Sequence, residues 1–344
     1  MSKVTYTGES DIGKLRDNNE DAYIVQSVWD DKHILGVAID GVGGYDGGER
    51  AAEIARESII DYLEKYSNGE RLDLLKQAVV DANNRIVDER NVDRMYPNMS
   101  CVLTACLVEV EKKQINMVHV GDTRLYQCRN ELEKLSHDHS MVGYREEIGD
   151  LTEEEAMKHP QRNLISRMVG DKKHKADDPH FLEAATFPLL PNSTLLLCSD
   201  GLCDMLTSAE MKLVLRRDIP LEEKAQKLID FANDKGGKDN ITVVLIEYLC
   251  DEAQPNNSET ENDSLIDALN EQEPDALEPK KQPTKTHPIG KNGWPIKTTL
   301  IALAAFLLGL TCGWLMRGNR ANSDSAIEAP LDVEKTQRRA VQQR

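Results

Sequence analysis

Short apolar runs that stop at a carboxylate and then at glycine punctuate the first 250 positions of the chain. The run 34–39 ends in Asp40-Gly41-Val42-Gly43-Gly44, and the run 194–198 ends in Ser199-Asp200-Gly201. Gly236-Gly237-Lys238-Asp239-Asn240 leads into a further run from Ile241. The segments 33–39, 101–108, 114–120, 125–129, 194–198 and 241–249 are short, rich in β-branched or other apolar residues, and bounded by turn formers, which predicts strands. Between the first two of these, Ala51, Ile54, Ala55, Ile59 and Tyr62 share one helical face, and Leu72, Leu75, Val79, Ala82 and Ile86 share another at three- and four-residue spacing. Several successive strands with no helix between them predict antiparallel sheets with helices packed on their faces, an α+β fold and not a doubly wound parallel one.

The pattern changes after residue 250. Residues 251–278 carry ten acids and no Lys or Arg, with few large apolar side chains. Such a stretch buries too little surface to offset its ordering entropy, so 251–295, acidic and then basic, is expected to be a disordered linker after a folded domain at 1–250. Residues 298–316 then run for 19 positions without a charge, bracketed by Lys297 and Arg317, with Trp294 and Trp314 near the ends. As a helix this stretch is about 28 Å long, close to the roughly 30 Å hydrocarbon core of a bilayer. A membrane span at 296–317 with a short tail at 318–344 is the expectation. Lys280, Lys281, Lys285, Lys291 and Lys297 outnumber Arg317, Arg320 and Lys335, which favours the large domain on the cytoplasmic side. The first residues carry no apolar signal-peptide core.

Charge and cysteine usage narrow the chemistry. Residues 1–250 hold 31 Lys and Arg against 46 Asp and Glu, so most of the chain's net charge of −18 lies in the predicted domain. A surface of that sign repels a phosphate backbone, and nucleic acid is not an expected partner. The seven cysteines lack paired C-x-x-C spacing, and Cys101, Cys106 and Cys198 sit inside apolar runs, as small core residues do in a reducing compartment.

Acids at the ends of hydrophobic strands can converge at one sheet edge, where they repel one another unless cations intervene. Ligation by oxygen alone points to hard divalent ions such as Mg²⁺ or Mn²⁺. Two more segments belong with this set: Arg16-Asp17-Asn18-Asn19-Glu20-Asp21-Ala22 and Val120-Gly121-Asp122-Thr123-Arg124. In chain order the motifs are R-x-x-N-E-D-A, D-G-V-G-G, V-G-D-T-R, S-D-G-L and G-G-K-D-N-I-T. Any one of them alone is an ordinary turn or surface pair. As an ordered set over about residues 8–248, the chain closely resembles the metal-dependent protein serine/threonine phosphatases of the phosphatase 2C type, the PPM family. Leu135-Ser136-His137-Asp138-His139-Ser140 and Asn163-Leu164-Ile165-Ser166-Arg167 agree with the flanks of that family's mobile flap.

The resemblance implies a four-layer αββα sandwich of two antiparallel sheets flanked by helices. It implies that Asp40 bridges two metals, Asp200 and Asp239 ligate one of them, and the Gly41 carbonyl and Glu20 serve the other. Asp122 with Asp200 matches a third metal position, Arg16 the phosphate-binding arginine, and Asp21 and Asn240 partners behind the ligands. The implied substrates are phosphorylated proteins, products of a Ser/Thr kinase. These residue types suit phosphate-ester hydrolysis, because a phosphate dianion resists anionic attack, and two divalent ions can neutralise it while making a water acidic enough to attack. A planar guanidinium can grip two phosphate oxygens.

Two other patterns are discounted. His137-Asp138-His139 has no third His or Cys near it in sequence, and a zinc site is not expected. Gly8 to Lys14 satisfies the spacing of a phosphate loop but lacks the following Ser or Thr, and nucleotide binding there is not expected. The chain also departs from the family. Met99-Ser100-Cys101-Val102 stands where Met-Gly-Thr-Thr is usual, and Val42 stands where members carry His or Met. A pseudophosphatase that only binds partners, and a hydrolase of another phosphate ester, therefore remain as alternative functions. The oligomeric state is not legible.

Overall fold

The inner strands owe their unbroken apolar sequences to burial on both faces. The computed structural model describes residues 3–43, 47–92 and 97–250. The predicted linker at 251–295, span at 296–317 and tail at 318–344 lie outside the described residues. The strands are β1 (Lys3–Asp11), β2 (Ala22–Val28), β3 (Asp30–Val42), β4 (Ser100–Glu109), β5 (Gln114–Val120), β6 (Arg124–Cys128), β7 (Leu132–Lys134), β8 (Glu183–Pro188), β9 (Ser193–Cys198) and β10 (Ile241–Leu249). They form two five-stranded sheets, ordered β1-β10-β9-β6-β7 and β2-β3-β4-β5-β8, with antiparallel pairing throughout.

Side chains alternate between two different cores. Ile34 and Ala38 of β3, Leu195 and Leu197 of β9, and Val244 and Ile246 of β10 meet between the sheets. Their neighbours in sequence face outward onto helices. Leu35, Val37 and Ile39 pack with the helices α1 (Gly47–Lys65) and α2 (Arg71–Val92). The other outer layer holds α5 (Asp200–Cys203), α6 (Ser208–Leu215) and α7 (Leu221–Asp234), which cover Leu196, Cys198, Val243 and Leu245. Two short helices, α3 (Met141–Glu147) and α4 (Glu153–Met157), lie in the crossover from β7 to β8. The layers are therefore helix, sheet, sheet, helix.

On the first helical face Ala51, Ile54, Ala55 and Ile59 are buried, and on the second Leu75, Val79, Ala82 and Ile86 are. Tyr62 and Leu72 are half-buried against the same core. The cysteines among the described residues are free thiols, and Cys101, Cys106 and Cys198 are fully buried. Gly8 lies inside β1 opposite Val244, so the segment that mimics a phosphate loop is a strand. Among the described residues no helix is long and apolar enough to cross a membrane.

Candidate metal centre

Antiparallel order places one set of strand ends along a single edge of the sandwich. The C-terminal ends of β3 and β5 lie beside the start of β2 in one sheet, and the end of β9 lies beside the start of β10 in the other. Asp40 is the strand residue opposite Val102, and Gly41 is opposite Cys101. Asp122 follows β5, Asp200 opens α5 directly after β9, Asp239 precedes β10, and Glu20 precedes β2. Arg16, Glu20, Asp40, Gly41, Asp122, Asp200 and Asp239 all line one cleft of about 440 Å³. Residues separated by up to 223 positions are thereby brought together.

Behind the cleft, Asn240 bolts the 12–20 loop to β10. Its Oδ1 accepts from the Glu20 N–H at 2.9 Å, and its Nδ2 donates to the Ile12 and Asn18 carbonyls, each at 2.9 Å. Asp21 accepts from Ser199 Oγ at 2.7 Å, and that same oxygen accepts from the Thr242 N–H at 3.0 Å. Arg16 Nη2 donates to Asp239 Oδ2 at 2.7 Å, which fixes the guanidinium at the cleft wall and raises its pKa. Removing three buried hydrogen bonds at about 1 kcal/mol each, Asn240→Ala should cost roughly 3 kcal/mol of stability. By loosening Glu20 it should also lower turnover about 10–100-fold. Urea unfolding and steady-state kinetics check the two effects, and unchanged turnover would show that the bolt does not position Glu20.

Gly41 lies where two backbones meet. A Cβ on it would stand 2.3 Å from the Gly48 carbonyl oxygen and 2.5 Å from that of Glu20, neither of which can yield as a flexible side chain would. The close approach locks the end of β3 against α1 and the Glu20 turn, and the Gly41 N–H donates to the Glu20 carbonyl at 3.2 Å.

The electrostatics show what this arrangement lacks. Asp40, Asp122 and Asp200 line the cleft, each only partly exposed. Burial, and then the charges of Asp21, Asp200, Asp122 and Asp239, push the Asp40 carboxyl well above its ordinary range. Burial does the same to Asp200, with Asp122 and Asp204 adding to it. Asp122 is pushed up to about 7 by burial and then by Asp138, against the pull of Arg124. Asp21 is pushed up to about 7 by burial, against hydrogen bonds from Thr242 and Ser199. An all-oxygen set whose members cannot ionise together without added positive charge fits hard divalent cations.

A pH dependence follows. The folded, metal-free chain holds protons on these acids at pH values where the unfolded chain, with carboxyls near about 4, has lost them. For Asp21 and Asp122, stability from that difference is complete below about pH 4 and drains away as pH rises through about 7, and the raised pKa values of Asp40 and Asp200 act in the same direction. Carboxyls with lowered pKa, such as Asp138 beside Arg124, act in the opposite sense below that window, and His119 and His139, whose pKa values burial lowers, do so up to about pH 6.5. Metal-free protein in a chelator should melt at falling temperatures from about pH 6.5 to about pH 8, above the range in which the histidines act, and manganese should restore most at the upper end. A metal-free melting temperature that rises across this window in calorimetry would contradict the account.

The histidine motif has a neighbour that sequence inspection missed. His119, buried on β5, stacks near His139 with ring centroids 4.8 Å apart, and Glu183 adds a carboxylate within 4.8 Å of both. His139 Nδ1 accepts from the Gly121 N–H at 3.0 Å, so the proton of the neutral ring sits on Nε2. His139 thus clasps the Gly121 turn ahead of Asp122, a contact that its ring makes without a metal. Asp138 takes two nitrogens of Arg124, at 3.0 and 2.7 Å to Oδ2, and His137 pairs with Glu183 at 2.7 Å. Arg162, in the α4 to β8 segment, is ion-paired to Asp204 beside the acids. Asp204 and Arg162 carried no sequence signal, and Ser199, although part of the S-D-G-L motif, was given no role there, because each acquires its role from a partner distant in the chain.

Comparisons with known proteins agree with this geometry. The sequence pattern of the family described as Protein phosphatase 2C matches residues 9–245, and the chain belongs to that family. A serine/threonine phosphatase of Listeria welshimeri is 34% identical over 245 residues, covering 69% of this chain and 93% of its own length. The crystal structure of the Mycobacterium tuberculosis serine/threonine phosphatase PstP is similar with a TM-score of 0.62 and 30% identity, covering 71% of this chain and 98% of that one. A structure of the PstP catalytic domain in complex with two manganese ions also matches, at 28% identity and a TM-score of 0.62, covering 73% of this chain and 100% of that one.

Proposed function

We propose that the chain hydrolyses phosphoserine and phosphothreonine in proteins at this cleft, using two Mn²⁺ or Mg²⁺ ions and a third in some states. In this reading Asp40 serves two ions, Asp200 and Asp239 one of them, and Glu20 and the Gly41 carbonyl the other. Asp122 with Asp200 holds the third. The observation that carries the reading is that all seven of these positions, Arg16 included, line one acid-walled cleft. Bound divalent ions would supply charge neutralisation and a water acidic enough to attack at neutral pH.

The chain's own residues do the rest. Arg16, held by Asp239, presents its remaining N–H donors to two phosphate oxygens and sets the phosphorus against the acids. Asp21, Ser199 and Asn240 keep the ligand-bearing turns from moving. Val42, apolar, lines the cleft, so no side-chain acid stands at that position. The seryl or threonyl oxygen leaves with the P–O bond pair and takes its proton from water in the cleft. The departures at Ser100, Cys101 and Val102 lie in register beside Val42, Gly41 and Asp40, and Ser100 Oγ donates to the Val42 carbonyl at 3.0 Å. They are buried on the strand behind the cleft and remove no ligand position, which favours an enzyme over a pseudophosphatase. Manganese-dependent release of phosphate from a phosphothreonine peptide, in preference to nucleotides, tests the reading. Hydrolysis of nucleotides alone would replace it with a hydrolase of another phosphate ester.

The uncharged stretch at 298–316 supports a membrane span at 296–317 that tethers the domain on the cytoplasmic side, near membrane-bound kinases or their substrates. The full chain should stay with membranes through a carbonate wash, and a chain ending at residue 295 should not. Equal partition of the two would remove the span.

A further inference from the structure

The cleft is walled by acids, but its lining also includes apolar side chains. Leu15, Ile165 and Met168 line it alongside the acids. Leu15 is 70% exposed, and Leu164, set between the cleft-lining Asn163 and Ile165, is 62% exposed. A single exposed leucine needs no explanation, but apolar side chains from two separate segments at the rim of a reaction site form a patch with a place in the chemistry.

Both segments are held firmly. Leu15 sits between Lys14, whose N–H donates to the Gly237 carbonyl at 2.7 Å, and Arg16, whose guanidinium is fixed by Asp239 at 2.7 Å. The other segment is anchored at Ile165, which bridges to Ser140, and from Ser166 onward. The Ser166 N–H donates to the His139 carbonyl at 2.7 Å, and Val169 exchanges two backbone hydrogen bonds with Cys101 at 2.8 and 2.9 Å. Apolar side chains held out to solvent on anchored backbone are pre-organised for contact.

We infer that the phosphoprotein substrate enters as an extended segment with a bulky apolar side chain next to the phosphorylated residue, received by Leu15 and by Leu164 with Ile165 and Met168. The inference rests on the proposed phosphatase reading and names its substrate class. Arg16, which would grip the phosphate, is the sequence neighbour of Leu15, and both line the cleft. In an extended chain the next side chains follow at about 3.3 Å per residue, within reach of this rim. The patch is continuous with the cleft, so what the cleft processes is what covers it. An apolar contact of this kind discriminates by roughly tenfold.

The test uses the full chain with manganese and phosphothreonine peptides that differ only at the two flanking positions, carrying Leu, Phe, Ala or Glu. The expected kcat/KM is about tenfold higher for Leu or Phe than for Ala. In Leu15→Ser, Leu164→Ser and the double variant, the Leu-to-Ala ratio measured within each protein should fall toward one, whatever the overall rate. A ratio near one in the parent, or a ratio that survives in the double variant, overturns the inference while leaving the phosphatase reading intact. Sedimentation that shows self-association abolished by the double variant would assign the patch to a second copy and also overturn it. Failure to hydrolyse any peptide would instead sink the phosphatase reading.

Discussion

Asp40→Asn should lower kcat/KM for a phosphothreonine peptide by about a thousandfold or more, and it should raise the melting temperature of the metal-free protein. The two effects have one origin. Asp40 stands among Asp21, Asp122, Asp200 and Asp239, with its carboxyl pushed up first by burial and then by their charges. An amide of the same shape removes a group that is costly to ionise in the absence of cations, so the metal-free fold gains. The same change removes the carboxylate shared by both proposed ions. A loss of about 4 kcal/mol of transition-state stabilisation corresponds to about three orders of magnitude in rate. Steady-state kinetics with manganese and calorimetry in chelator read the two arms separately. An active Asp40→Asn protein would break the catalytic assignment, and a metal-free form less stable than the parent would break the electrostatic one.

Gly41→Ala should lose both activity and stability, which separates it from Asp40→Asn one residue away. The added methyl would meet backbone oxygens of Gly48 and Glu20 at 2.3 and 2.5 Å, and backbone can relieve such contacts only by moving. Overpacking of this kind costs about 1–3 kcal/mol. The displaced parts are the end of β3, the start of α1 and the Glu20 turn, which carry Asp40, the Gly41 carbonyl and Glu20. A fall of at least about a hundredfold in kcat/KM is expected, together with a lower denaturation midpoint in urea. Parent-like activity in Gly41→Ala would show that the close approach at this position is not part of the site.

The inner strands were legible because burial on both faces makes them continuous apolar runs, as at 101–108 and 241–249. β1, β2, β7 and β8 lie at sheet edges and were not read as strands: Lys3–Asp11, Ala22–Val28 and Glu183–Pro188 mix polar and apolar residues, and Leu132–Lys134 is too short to show a period. The short α4 escaped for the same reason, although its Thr152 and Glu155 form a reciprocal N-terminal cap. In the site, Asp40, Asp122, Asp200 and Asp239 could be found because each stands where an apolar run meets a turn, while Glu20 and Asp21 were read from the order of the motifs. Their convergence depends on which strands are neighbours, and here the family resemblance supplied what local pattern does not contain. Ser199 became meaningful only through Asp21, 178 positions away. Leu15 gained its interest only when its exposure and the fixed positions of both neighbours were visible.

The central claim is that Asp40, Asp200 and Asp239, with Glu20, form one binding site for divalent cations. Titrating manganese into the chelator-stripped full chain by isothermal calorimetry at about pH 7.5 addresses it most directly, with Asp40→Asn measured in parallel. The account predicts uptake of at least two ions by the parent and loss of that uptake in the variant. No heat of binding in the parent, or equal uptake by both proteins, would contradict it.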